Sequence, residues 1–478
     1  MLKAFGYDVV VYEKEPDIGG VWSSSRRYPS LTTQNPKDTY YLSELPMPKH
    51  FPDWPSGKQV QEYMENYVET FDFGHTIKTN CEVISASLDQ ANYKWCLKVR
   101  QLGSGDLEQA ILEDTVDYLI VCNGIFSLPF VPAYEGKEAF QAAGGKLLHT
   151  SEFTDVESAR DKDIVIIGYG KSSCDVARAS LGISKSTTLV ARNLIWKIPK
   201  KLMNFLNYKY LFLTRMGEGL FKYIRVRGFE KFLHSPIGRP IRNGMMATVQ
   251  FIVTKQLKLK EIGLHPGKPL ETIARSTVSL VSDGFYEAVK SGDLRMIKST
   301  SITSLEPGKA HLSNGETIPA DFVVCGTGWR QEVAFFDDDM LSRVTDHDGN
   351  FRLYRSMIPV DVPNLAFNGY NSSFFSQLNC EVGALWIVDH LKGGISLPST
   401  HDQNRSIDVR LAWMKERTDG KHSKGTNIIP FSVHHLDELL ADMGLTLNLF
   451  TRFKQWFAPV DPRQYSSLLA RLLKRYSK

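Results

Sequence analysis

The most legible pattern in the chain is a run of β-favouring apolar residues, Ile164–Ile167, that ends at Gly168-Tyr169-Gly170 and passes into a helical spacing carrying Val176 and Ala177. A strand, a glycine turn and a helix are predicted there, with Thr187 to Val190 as the next strand. Apolar runs also end in glycine turns at Asp117–Gly124 and Asp321–Gly328. Near the start, Leu2 to Phe5 read as the last turn of a helix, Gly6 as its cap, and Asp8 to Glu13 as a strand ending in an acid. An N-G turn signal at Asn314-Gly315 predicts a hairpin. Strands alternating with helices in this way place the chain in the α/β class.

The turn at Gly168 has the chemistry of a dinucleotide site. The first glycine permits the sharp bend, Gly170 lets a pyrophosphate approach the backbone, and the free N–H groups of the following helix attract the anion. Ser173 stands where a third small residue is needed for helix–strand packing. Arg192 follows at the ribose-reading position, where NAD sites carry an acid, and so points to the 2'-phosphate of NADP. Glu13 ends its own strand as a ribose-binding acid does. The glycine fingerprint that normally accompanies such an acid lies about 20 residues earlier, which would place it before Met1.

Composition changes this picture little. The 478 residues exceed one core and imply two or three domains, and 42% hydrophobic with 23% charged residues is ordinary for a globular protein. A net charge of +4 gives no reason to expect a nucleic-acid partner. The six cysteines are scattered with no metal-ligand spacing, so no metal is expected, and reduced, buried core cysteines in a reducing, cytoplasmic compartment are. No apolar run has the length of a membrane span, and Asp8 and Glu13 interrupt any signal-peptide pattern. Between Lys200 and Pro269 the sequence is basic, aromatic and helical. It is expected to pack as an insertion on its domain, in preference to lying on a membrane surface. The basic amphipathic tail ending at Arg475 is read in the same way.

Several motifs, in order, carry a family resemblance. Glu13-Lys14 is followed by Gly19-Gly20-Val21-Trp22, then Asn35-Pro36-Lys37, Pro46-Met47-Pro48 and Phe51-Pro52. Asp117–Gly124 resembles a strand ending in A-T-G, with Cys122 and Asn123 as departures, and Cys325-Gly326-Thr327-Gly328-Trp329 resembles A-T-G-Y. Gly145 to His149 gives G-x-x-x-H with Phe153 four residues on, although Ala143 stands where the family fingerprint has phenylalanine. Together these resemble the flavin-containing monooxygenases, over nearly the whole chain from Phe5 to about Gly394.

The resemblance implies two Rossmann-like dinucleotide-binding domains, the NADP domain inserted in the FAD domain. The first part of the FAD domain would cover 1–155, without its first strand and glycine loop. The NADP domain would cover 156–330, with a helical insertion at about 200–269. The second FAD part and a C-terminal helical segment would cover 331–478. It further implies that NADPH reduces FAD, that oxygen forms a peroxide on the flavin, and that one oxygen atom passes to a nitrogen- or sulfur-containing small molecule. Glu13, Gly19, Gly20 and Trp22 would hold FAD. Asn35 would face the reactive flavin edge as the catalytic residue. Gly168, Gly170, Ser173 and Arg192 would hold NADPH, with Lys197 assisting at the phosphate. His149 reads as a hinge residue before a catalytic one, because no acid–base partner is evident. Two other readings stay open: a Baeyer–Villiger monooxygenase acting on a ketone, whose fingerprint ends in tryptophan where this chain has Phe153, and a truncated NADP-binding relative without activity.

Overall fold

The computed structural model describes residues 1–103, 110–275, 279–371, 373–418 and 432–477. After a short 3-10 turn closed by Gly6 in the left-handed conformation (φ 83°), β1 (Val11–Tyr12) pairs in parallel with β2 (Ile77–Lys78). Between them lies α1 (Gly57–Thr70), begun by a reciprocal cap in which Ser56 and Gln59 each bond the other's backbone N–H. Such a cap stabilises a helix start by about 1 kcal/mol. Three antiparallel strands follow (Cys81–Asp89, Lys94–Gln101, Ile111–Val116). β3 (Leu119–Val121) then pairs in parallel with a strand far downstream, Leu365–Phe367.

The second unit is a five-stranded parallel sheet made of β4 (Lys146–His149), β5 (Asp163–Ile167), β6 (Ser186–Ala191), β7 (Arg295–Lys298) and β8 (Phe322–Cys325). Its spatial order is β7-β6-β5-β8-β4, with the strand before the glycine turn at the centre. The period of two along β5 explains the layering. Ile164 and Ile166 enter one core with Val176 and Ala177 of α2 (Lys171–Ser180). Val165 and Ile167 enter another, with Phe140, Leu305 and Ile318. A sheet covered on both faces needs such an uninterrupted apolar run, and each of these buried side chains contributes about 1.5–3 kcal/mol. The expected hairpin is present between Lys309–Leu312 and Thr317–Pro319, with Gly315 at φ 87°.

The insertion wraps this unit with short helices and one long one, α3 (Arg239–Gln256). Beyond β9 (Leu365–Phe367) come α4 (Ser376–Leu391), the helix Thr400–Arg417, α5 (Ser432–Asp442), α6 (Leu449–Phe457) and α7 (Ser467–Tyr476). α4 is apolar nearly all round and runs through the core. The tail helix α7 is docked: Leu468 and Leu472 are buried, and Arg475 pairs with Asp389 at 3.0 Å. Among the described residues no helix is long and apolar enough to cross a membrane.

The structure is thus mixed α/β with two nucleotide-binding units, and the two differ. The first is not one continuous sheet, since β1–β2 and β3–β9 form separate two-stranded pairs. Two cysteines also depart from expectation. Cys81, Cys174 and Cys325 are buried, but Cys96 and Cys122 are exposed. Along Lys94–Gln101 the alternation turns Trp95, Leu97 and Val99 inward, which leaves Cys96 outside.

Candidate functional site

The glycine turn is set by backbone packing. Gly168 has φ 106°, and a Cβ added there would stand 2.5 Å from the Gly326 carbonyl oxygen. Only glycine meets both demands. Gly168 N donates to Val190 O and Gly326 N donates to Ile167 O, tying the turn to the neighbouring strands. Ser173 is fully buried and its hydroxyl donates to Ile167 O at 3.2 Å, which explains the small residue at that position.

Gly170 is different. Its φ is −71°, which any residue adopts, and an added Cβ would meet no atom within 4 Å. The space above it is open, and no side chain caps the first turn of α2, whose N–H groups face that space. An anion is stabilised at such a place.

Arg192 lies just past the end of β6 and is exposed. Lys197 is 1% exposed; its Nζ donates to Ser279 Oγ at 3.0 Å and lies 4.8 Å from the centre of the Tyr169 ring. Burial holds its ammonium below the usual lysine range. Arg192 therefore offers a solvent-facing charge, whereas Lys197 sits beneath the turn. Lys171, at the start of α2, is neutralised by Asp175 at 2.5 Å and reaches Thr32 Oγ1 at 3.5 Å. Asp175 also accepts from Tyr28 and Ser282. This cluster joins the second unit to the segment leading into Asn35.

Asn35 is 3% exposed. Its Nδ2 donates to Phe374 O at 2.8 Å, at the start of α4, and its carbonyl accepts from Thr33 Oγ1 at 2.8 Å. Its neighbour Gln34 is held from the other side: Tyr208 of the insertion donates to Gln34 O at 2.6 Å, and Leu280 N donates to Gln34 Oε1 at 3.0 Å. Lys37 secures the turn after Pro36 by donating to Lys49 O and Phe51 O. All three parts of the molecule thus grip the loop. Gln377, on the first turn of α4, is a side-chain hydrogen-bond partner of Tyr40, the residue on which Trp22 packs.

Glu13 continues β1, donating its N–H to Lys78 O. Burial raises its carboxyl above the ordinary range, and the Glu15 N–H, which donates to it at 3.0 Å, opposes that shift. Gly19 (φ 134°) and Gly20 (φ 58°) form the turn into Gly20–Trp22, and Trp22 packs edge-on to Tyr40. His149 is buried with both ring nitrogens occupied, by Ser151 Oγ at 2.9 Å and Gly328 O at 3.0 Å. Its pKa is lowered to about 4, mainly by burial, so the ring is neutral and clasps two segments. Among the described residues no cluster of ligating side chains could hold a metal.

Gln34, Tyr208 and Phe374 did not emerge from the sequence. Gln34 adjoins the N-P-K motif and could have been noticed there, but the other two carry no local signal.

A family model described as "Flavin-binding monooxygenase-like" matches residues 4–465. Probable flavin-containing monooxygenase 1 of Arabidopsis thaliana is 25% identical, over 92% of this chain and 88% of its own. Among solved structures, S-allyl-L-cysteine S-oxygenase from Allium sativum has a TM-score of 0.61 at 19% identity, over 100% of this chain and 94% of its own. Steroid monooxygenase bound to NADP has a TM-score of 0.65 at 15% identity, over 93% and 94%. These two structural likenesses speak for the fold.

Proposed function

Because the chain belongs to the flavin-binding monooxygenase-like family, of FAD- and NADP-dependent enzymes, we propose that it uses NADPH and oxygen to oxygenate a nitrogen- or sulfur-containing small molecule at the buried Asn35. The observation that carries this reading is the Asn35 loop, which is held jointly by α4, the NADP unit and the insertion. When bound, FAD supplies the oxygen chemistry and NADPH the hydride.

The chain's own part is to bind, orient and exclude water. In this reading Gly168 shapes the turn, Gly170 leaves room for the pyrophosphate, and α2 offers its N–H groups. Ser173 locks helix to strand, and Arg192 takes the 2'-phosphate. Lys197 adds positive charge from below, at Tyr169. Glu13 holds the FAD ribose, and Gly19, Gly20 and Trp22 lie along the rest of that cofactor. The Asn35 amide spends one N–H on Phe374 O, which fixes its plane and leaves Oδ1 and the second N–H for the reacting groups. Its burial keeps water from competing for them. Phe153 is buried against Phe322, and its being phenylalanine, where ketone-oxidising relatives are expected to carry tryptophan, supports the amine or thioether class.

The test is a cofactor titration with two variants. Gly170→Ala adds only a Cβ, for which the fold has room, so its thermal midpoint falls by no more than a few degrees while NADPH binding weakens at least about tenfold, about 1.4 kcal/mol. Arg192→Ala loses a charge-assisted contact and raises KM for NADPH about 10- to 100-fold, with little change for NADH. If both variants bound NADPH like wild type, the proposed cofactor site would be wrong.

A further inference from the structure

Lys171 has one more hydrogen-bond donor than the fold uses. It is the first residue of α2, directly after the open space above Gly170, and its side chain is only 10% exposed. An ammonium carries three N–H donors and no acceptor. One reaches Asp175 Oδ2 at 2.5 Å, and a second, more weakly, Thr32 Oγ1 at 3.5 Å. Among the described residues nothing takes the third.

Asp175 fixes where that donor sits. It is 4% exposed and lies one turn along α2, at the i, i+4 spacing that brings the two side chains together. Its carboxylate also accepts from Ser282 Oγ at 2.5 Å and from Tyr28 OH at 3.3 Å, so it is anchored on both sides of the junction between the two units. The pair holds Lys171 in place before any ligand arrives, and a preorganised donor loses little entropy on binding. Because Asp175 also cancels the charge, Lys171 offers an anion an oriented hydrogen bond more than a free cation.

Thr32 leads from this pair to Asn35. It bridges to Ser56, the cap of α1, and its neighbour Thr33 donates its N–H to Pro55 O at 2.9 Å. The Thr33 hydroxyl in turn donates to Asn35 O at 2.8 Å. The unused donor thus belongs to a residue at the anion-attracting end of α2, and that residue's other bonds run to Asp175 and to the base of the Asn35 loop.

We propose that Lys171 is a cofactor-positioning residue: its unused N–H takes a phosphate oxygen of the dinucleotide bound at the glycine turn, and its bond to Thr32 ties that cofactor to the loop carrying Asn35. This rests on the NADP site proposed above. Coupling between two sites is reciprocal, so a cofactor that gains affinity from an ordered loop also orders it.

The test is amide hydrogen exchange of the full chain as purified, with and without saturating NADPH, read on peptides covering residues 28–37 and 166–176. In wild type NADPH slows exchange in both segments by at least about fivefold. Lys171→Met binds NADPH about tenfold more weakly, the loss of one charge-assisted bond, and at saturation still slows 166–176 but changes 28–37 less than about twofold. Thr32→Val, which keeps the buried ion pair intact, binds NADPH within about threefold of wild type and likewise loses the slowing of 28–37. Wild-type slowing at 166–176 alone, or variants that slow 28–37 as wild type does, would overturn the proposal and leave the NADP site standing. Slowing in neither segment would overturn both. None of these readouts depends on bound flavin or on activity.

Discussion

Asn35→Ala is expected to cut formation of oxygenated product by about 10²- to 10³-fold, the loss found when one preorganised donor at a reacting centre is removed. The side chain is buried and its plane is fixed by the bond to Phe374 O. Replacement therefore removes an oriented amide without access for water to take its place. The neighbouring contacts to Gln34 use its carbonyl and side chain, so they persist in the variant. If NADPH is held at the glycine turn and Arg192, as proposed, its binding should change less than threefold, about 0.6 kcal/mol. Steady-state kinetics with product quantification separates the outcomes. A kcat fall with NADPH affinity retained supports a role at the reacting centre, whereas unchanged product formation would remove Asn35 from the catalytic machinery.

His434→Ala is expected to destabilise the protein by about 3–5 kcal/mol near pH 6, because it leaves buried carboxylates without their cation. The imidazole lies between Glu218 and Glu230, its Nε2 2.8 Å from Glu230, and is stacked on Tyr223. Glu218 also accepts from the N–H groups of Val433 and His434, capping α5 from the insertion. The His434 pKa is raised to about 10: burial lowers it, and the two glutamates more than reverse that effect. Because the folded state holds this proton more tightly than the unfolded chain, the stabilisation is complete below the unfolded value, about 6.5. It is then lost as pH rises through the folded value. Urea midpoints of wild type and variant should therefore differ most at pH 6 and converge toward pH 10. A gap that stayed constant across this range would mean that His434 is not charged in the folded protein.

What could be read from the sequence was local. The apolar run Ile164–Ile167 and the glycines after it predict the central strand and its turn, because their conformational demands lie within a few residues. The hairpin at Gly315 was legible for the same reason. The N-P-K motif marked Asn35, yet the groups that hold its loop come from Phe374, Tyr208 and Leu280, between 174 and 339 residues away. No periodicity encodes such pairings. The His434 ion pair, 216 residues from Glu218, was hidden likewise. Lys197 shows a subtler limit: its place in the motif suggested a phosphate contact, but only the packing of Ser279 and Tyr169 reveals a buried ammonium beneath the turn. The insertion was legible as basic and aromatic. Which of its aromatics face outward depends on the packing of α3 and α6, which no local pattern encodes.

The most direct test of the central claim is product analysis of the purified full chain supplied with FAD, NADPH and air and offered a thioether together with a cyclic ketone. The account predicts the sulfoxide, formed only when NADPH is present, with the ketone left unchanged. Conversion of the ketone to an ester without sulfoxide, or no product from a preparation that binds NADPH but takes up no flavin, would contradict it.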